Sequence, residues 1–271
     1  MRIRASVAVV TGALALSALS VPSAQAADRG PDFPGTPGPS AYSSGSGKIT
    51  KVTVNGGKNV AIGLGKKKFT VEVSASNKGG VGAAVAVLWR GSTPETAKNF
   101  LEPQEVGDIP CKYTRTTATC KFSFVADPKV DLSNGDAGKW KVWAMAVDGN
   151  GDTVALKENY KSVTFQRAAQ ATANATPEPV KKGKTVTVTG SLTRASWDNN
   201  KYNGFASGSV KLQYKKLGTS QWKTLKTVSA DSSGKVKATT TATSDGYYRF
   251  QYAGSTTTGY AASVADKIDV R

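Results

Sequence analysis

Residues 136–154 read DAGKWKVWAMAVDGNGDTV, and this stretch decides the fold. Apolar side chains recur at every second position, Trp140, Val142, Ala144 and Ala146, which is the period of a strand and not of a helix. The same period puts Trp143, Met145 and Val147 on the opposite face, so this strand is apolar on both sides. Asp148-Gly-Asn150-Gly151 then punctuates the run before apolar residues resume at Val154, the pattern of a hairpin.

Outward from this hairpin the texture is the same. Ile49–Val54, Phe69–Val73, Val85–Trp89, Lys121–Val125 and Ser162–Phe165 are short alternating runs. A second series follows Thr176-Pro-Glu-Pro-Val180, namely Val186–Thr189, Val210–Tyr214, Trp222–Val228, Val236–Thr239, Tyr247–Tyr252 and Ile268–Val270. Asn55-Gly56, Asn134-Gly135, Asn150-Gly151 and Asn203-Gly204 read as turns. Helical apolar spacing is nowhere sustained over a useful length, so the chain is all-β. About seven strands in roughly 100 residues is the size of an immunoglobulin-like sandwich. The expectation is two such β-sandwich domains in tandem, 48–168 and 169–271.

The N-terminal segments read differently. Arg2 and Arg4 precede an apolar run from Ala5 to Leu19, and Ala24-Gln25-Ala26 is the small-x-small pattern of a cleavage site. Residues 1–26 are therefore expected to be a signal peptide, too short in apolar length for a span. Residues 27–47, rich in Pro, Gly and Ser, are expected to form a disordered leader. Export predicts a protein that is secreted, extracellular or loosely cell-wall associated, with no membrane span in the mature chain.

Two stretches share a lead into a strand. Asp136-Ala-Gly138-Lys-Trp140-Lys-Val142 and Asp245-Gly246-Tyr247-Tyr248-Arg249-Phe250 fit the corner before strand F of immunoglobulin-like folds, where a Tyr hydroxyl bonds to upstream backbone. Tyr248 is expected to close that corner, with Trp140 as its approximation. Val142 and Phe250 stand where such domains carry the second cysteine, which argues for the wider bacterial class over the antibody type. From Gln170 onward, TPEPVKKGKTVTVTG (176–190), LTRASWDNNKYNGF (192–205) and DGYYRFQYAGSTTT (245–258) resemble the repeated immunoglobulin-like module of secreted actinobacterial proteins. The resemblance covers about the last 100 residues and implies fold and export more than function; some similar proteins carry a calcium-binding label.

Composition excludes several chemistries. The chain holds no histidine and two cysteines, so a Ser-His-Asp or Cys-His catalytic pair, a His-ligated zinc and a cysteine-held iron–sulfur cluster are all impossible. No motif arranges carboxylates, Lys or Tyr for catalysis, and a non-enzymatic protein is expected. The net charge is +17, from 36 basic and 19 acidic residues. Residues 169–271 hold 15 basic against six acidic residues, the more basic share of the folded part. Such an excess serves solubility and also attracts anionic polymers, cell-wall polymers among them, without specific nucleic-acid recognition.

Four groups of residues are candidates. Cys111 and Cys120 bracket eight residues, the spacing of a cross-hairpin disulfide in an exported chain. Asp148, Asn150 and Asp152 offer oxygens at alternate positions, as the first part of a Ca2+ loop does, but Thr153 stands where glycine is needed; hairpin turn and calcium site both stay open. Leu88, Trp143 and Met145 form an apolar patch for an unidentified protein partner if Val85, Val87 and Trp89 point inward and the stretch Gly91–Ile109 leaves the sheet bare. Lys211, Lys215, Tyr247 and Arg249, with Gln213 and Gln251, form a basic outer face, either an ordinary solvated surface or a platform for a polyanion or glycan. The leading expectation is an exported binding or structural protein of the cell surface or extracellular matrix; the alternative is a secreted calcium-binding protein.

Overall fold

The computed structural model describes residues 46–94, 96–104 and 110–271. The signal-peptide reading of residues 1–26 and the leader up to residue 45 lie outside the described residues, as do Glu95 and residues 105–109 of the stretch expected to cover the first sheet. Among the described residues no helix is long and apolar enough to cross a membrane.

The first sandwich is built from β1 (Lys48–Val54), β2 (Val60–Ile62), β3 (Lys67–Ser76), β4 (Ala83–Arg90), β5 (Asn99–Leu101), β6 (Cys111–Tyr113), β7 (Thr117–Ala126), β8 (Gly138–Val147) and β9 (Thr153–Arg167). One sheet runs β1-β3-β7-β6 and the other β2-β9-β8-β4-β5, with β2 parallel to β9. In immunoglobulin lettering this is A-B-E-D on G-F-C, with β5 added at the edge beside C and β2 at the edge beside G. Strand β3 shows why the layers close: alternation sends Phe69, Val71, Val73 and Ala75 inward. Phe69 stacks on Phe124 at 5.6 Å, and Phe165 stacks on Trp140 at 4.7 Å.

The facing of β4 corrects the sequence reading. Register pairs Leu88 with Val142, Ala86 with Ala144 and Val87 with Trp143, and opposed residues share a face. Ala84, Ala86 and Leu88 are therefore in the core, while Val85, Val87 and Trp89 face outward with Trp143 and Met145. The reason is volume. The facing sheet already fills the core with the rings of Phe69, Phe122 and Phe124, so alanines on β4 and β8 complete a close-packed interior that Trp89 would overfill.

The outer face is covered, and the expected partner patch is not an exposed surface. Trp89, Trp143 and Met145 are 1%, 2% and 7% exposed, under Ala97 and Phe100 from the stretch after β4 and Leu156 from β9. Trp89 donates its indole N–H to Glu158 O at 2.9 Å. The Lys141 ammonium lies 4.3 Å from the Trp89 ring centroid and bonds to Gly91 O and Ser92 O.

The second sandwich comprises β10 (Ala169–Ala171), β11 (Asn174–Thr176), β12 (Thr185–Ser196), β13 (Lys201–Gly204), β14 (Ser209–Lys216), β15 (Lys223–Ser229), β16 (Lys235–Thr241), β17 (Gly246–Tyr252), β18 (Ala261–Ala262) and β19 (Asp266–Ile268). Strand β12 carries β10, β11, β13 and β16; the opposite sheet runs β15-β14-β17, with β18 and β19 on the far side of β17. Val186, Val188, Leu192, Val210, Leu212, Phe250 and Ile268 fill its core.

Two local readings change. Asn203-Gly204 belongs to β13 and not to a turn; the reversal lies at Trp197–Asn200, with Asn200 at φ 51°. Gly204 is needed for close approach, since a Cβ there would sit 2.1 Å from Ser233 O. The corner before β17 is closed by Tyr214, whose hydroxyl donates to Ser244 O at 2.9 Å, while Tyr248 is packed into the core beside it. In the first sandwich Trp140 does close the corner, donating its indole N–H to Asp136 O at 2.8 Å.

The two cores meet at the β12–β13 hairpin. Ala195 and Trp197 belong to the first sandwich's buried cluster, and Trp197 donates its indole N–H to Ile62 O at 3.2 Å. Asn134 anchors the tip from the other side, accepting from the Trp197 N–H at 2.9 Å and donating its backbone N–H to Asp198 Oδ1 at 2.9 Å. Arg167 lies in the same joint, with Nε donating to Ala195 O; burial and then the Arg194 charge bring its pKa down to about 10.

Candidate functional site

Strand alternation builds the basic face. Val210 and Leu212 of β14 and Tyr248, Phe250 and Tyr252 of β17 point into the core. Their neighbours pair across the outer surface: Lys211 with Gln251, Gln213 with Arg249, and Lys215 with Tyr247. Lys211, Lys215, Tyr247 and Arg249 are thus brought onto one side of two adjacent strands, and Lys267 of β19 extends the row beyond Tyr247.

Trp222, one residue before β15, is the member that sequence reasoning missed. The Arg249 guanidinium lies 4.0 Å from the centroid of its ring. The Lys215 ammonium sits between two rings, 5.2 Å from Trp222 and 4.9 Å from Tyr247. The available signal was an aromatic at the start of the strand that hairpins back beside Lys215, since Tyr214 pairs with Lys223.

The electrostatics of the β14–β17 part of this face are one-sided. Among the described residues, ion pairs join Lys66 to Asp127, Arg90 to Asp136 and Lys267 to Asp269, and none takes Lys211, Lys215 or Arg249. Arg249 is held by a neutral partner, its Nε donating to Gln213 Oε1 at 2.8 Å, and Gln213 Nε2 donates to Thr224 Oγ1 at 3.4 Å. Asp269 holds the Lys267 ammonium pKa above its ordinary value. Beside the face, Trp222 also lines a groove of about 750 Å³ with Tyr214, Lys216, Thr219, Gln221 and Lys223.

The other candidates are placed as follows. Cys111 and Cys120 face each other across β6 and β7 and form a disulfide, as their spacing implied. Asp148, Asn150 and Asp152 lie in the hairpin between β8 and β9, where Asp148 Oδ1 accepts from the N–H groups of Asn150 (2.9 Å) and Asp152 (3.0 Å). One carboxylate oxygen is thereby committed to holding the turn. Among the described residues no group of three or more acidic or Cys side chains is placed to hold a metal ion.

No protein-family model matches the chain, and no curated protein matches it. Among solved structures it overlaps a marsupial T cell receptor, with TM-score 0.38, 11% identity, and coverage of 83% of this chain and 73% of that one. It also overlaps the fibronectin(III)-like modules of Clostridium thermocellum CbhA, with TM-score 0.33, 11% identity, and coverage of 81% and 93%. A third is the D00-D0 domain of intimin, with TM-score 0.27, 14% identity, and coverage of 80% and 99%. The architecture rests on strand order and register, not on these overlaps.

Proposed function

We propose that this is an exported, non-catalytic binding protein of the cell surface or extracellular matrix, and that the outer face of β14 and β17 engages anionic polymers. Export is supported by Ala24-Gln25-Ala26 behind an apolar run and by the Cys111–Cys120 disulfide. A non-catalytic role is supported by the missing imidazoles and the lack of any catalytic motif.

The observation that carries the binding assignment is the set of three cations, Lys211, Lys215 and Arg249, oriented on one sheet face with no carboxylate in ion-pair contact among the described residues. A polyanion laid on that face releases condensed counterions, so affinity falls as salt rises. The test is binding of the full chain to heparin and to inorganic polyphosphate at several salt concentrations, beside Lys211→Glu/Lys215→Glu/Arg249→Glu. Tight binding at low salt, a steep decline as the Debye length shortens toward about 8 Å, and loss of most affinity in the triple variant are expected. Salt-insensitive binding, or a triple variant that binds as wild type does, overturns the assignment.

A further inference from the structure

We infer that the ligand of this face is an acidic polysaccharide, held by Trp222 and Tyr247 against its sugar rings while Lys215 and Arg249 meet its acid groups. The inference rests on the polyanion reading above and deepens it.

Aromatic and basic side chains alternate across the sheet. Trp222, Lys215, Tyr247 and Lys267 form a row across β14, β17 and β19 from the start of the β15 hairpin arm, with Lys215 opposite Tyr247 and Tyr247 opposite Lys267, whose ammonium is paired with Asp269. Neighbouring strands are about 4.8 Å apart, so the row offers one side chain for about each pyranose length of a chain lying across the strands. A pyranose presents a face of C–H groups that packs on an aromatic ring, and its hydroxyls seek neutral hydrogen-bonding partners. Both kinds of group are here: the rings of Trp222 and Tyr247, and, in the next rows, the exposed Thr224 and the half-buried Gln251.

The spacing of the cations fits a sparsely charged polymer. Lys211 and Lys215 are four residues apart on one strand, about 13 Å, and cations diagonal across two strands are about 7–8 Å apart. A polymer with one acid per pair of sugars, about two strand spacings or 10 Å, falls within this range. The cations are also held in place: Arg249 lies against the indole and bonds to Gln213, so less side-chain freedom is lost on binding than for solvated lysines. The groove beside Trp222 continues the surface past the end of β14 with Lys216 and Lys223 on its walls.

The test compares four probes on the full chain at one low salt concentration: polygalacturonate, inorganic polyphosphate, oligothymidylate and neutral dextran. The variants are Trp222→Ala, Tyr247→Ala, and Trp222→Phe as the conservative control, each checked by circular dichroism. Polygalacturonate is expected to bind more tightly than polyphosphate at equal charge, and each alanine variant to weaken it about fivefold or more while leaving polyphosphate within about twofold. Trp222→Phe is expected to retain most of the affinity. Alanine variants that bind polygalacturonate as wild type does overturn the inference, as does oligothymidylate binding more tightly than polygalacturonate. Polyphosphate and polygalacturonate binding equally with no aromatic dependence defeats this inference alone. Binding to neither defeats the polyanion reading beneath it as well.

Discussion

Asp148 and Asp231 make the same five-residue turn in different sandwiches. Each directs Oδ1 at the backbone N–H groups two and four residues ahead, Asn150 and Asp152 in one case, Ser233 and Lys235 in the other. Each donates its own N–H to the carbonyl of the fourth residue on, and a glycine at the third, Gly151 or Gly234, sits at φ 89° or 81°. The acid at position 152 is matched by Lys235, so the turn requires no second carboxylate. A repeated backbone device therefore accounts for Asp148 and Gly151 without an ion.

The first prediction follows for calcium. Millimolar CaCl2 is expected to leave the melting temperature unchanged, because Asp148 Oδ1 is already occupied by two N–H groups. A resident ion would add about 2.7 kcal/mol at a hundredfold excess over its Kd. A calcium-dependent rise that vanishes in Asp148→Ala/Asp152→Ala would establish the calcium alternative in place of the turn.

Asp231 gives a pH prediction. Hydrogen bonds, first from the Ser233 hydroxyl and then from the Lys235 N–H, lower its pKa below the ordinary carboxylate value. The ionised form is thus favoured by folding, and its stabilisation is present above about pH 3.9 and is lost as pH falls through the lower folded value. Thermal melts between about pH 5 and pH 2 should show wild type losing more stability than Asp231→Asn. Parallel curves would show that these bonds contribute nothing.

The strand runs were legible because period 2 is printed in the residues: Phe69-Thr-Val-Glu-Val73 and Tyr247–Tyr252 leave no other reading. The facing of β4 was not, because Ala-Val-Ala-Val-Leu-Trp is apolar at both phases and the choice depends on ring volume arriving from β3 and β7, far away in the chain. The basic face was legible from alternation alone. Trp222 was not, since its stacking on Arg249 depends on how the β14–β15 hairpin folds back. Tyr214 was hidden for a similar reason: its hydroxyl reaches residues 30 positions along the chain.

Leu88 faces the core and Trp143 lies under the covered outer face, so both sites are sensitive to truncation. Trp143→Ala is expected to destabilise the protein by about 3–5 kcal/mol, the cost of emptying a buried aromatic site, and Leu88→Ala by about 2–5 kcal/mol. Both side chains are nearly inaccessible, at 2% and 0% exposure. Urea titrations measure these losses. Near-wild-type stability in Trp143→Ala would return that residue to the surface as a candidate partner contact.

The disulfide prediction separates a staple from a reactive pair. Cys111 and Cys120 are nine residues apart, a loop whose closure is worth about 2.7 kcal/mol in the chain-entropy model. Native protein should resist alkylation until reduced, and reduction should lower stability by about that amount while the strands persist. Rapid alkylation of the unreduced protein would contradict the structure.

The last prediction concerns the joint. Trp197 stems from the second sandwich but is only 3% exposed, inside the first sandwich's core cluster. Replacing it with alanine removes a buried aromatic and leaves a space that neither sandwich can fill without moving the β12–β13 hairpin, so a loss of about 3–5 kcal/mol is expected. The more specific outcome concerns cooperativity. Asn134 accepts from the Trp197 N–H and donates to Ser196 and Asp198, and Gln166 donates to Ser255 O, so the two cores share hydrogen bonds as well as packing. With those contacts intact, calorimetry should show one transition whose van't Hoff and calorimetric enthalpies agree. In Trp197→Ala/Asn134→Ala the sandwiches lose their common buried cluster, and the transition should split, the first sandwich melting earlier because the lost ring belonged to its core. A single cooperative transition in the double variant would mean that the β9–β10 connection and the Arg167–Thr258 bridge suffice to couple the two cores.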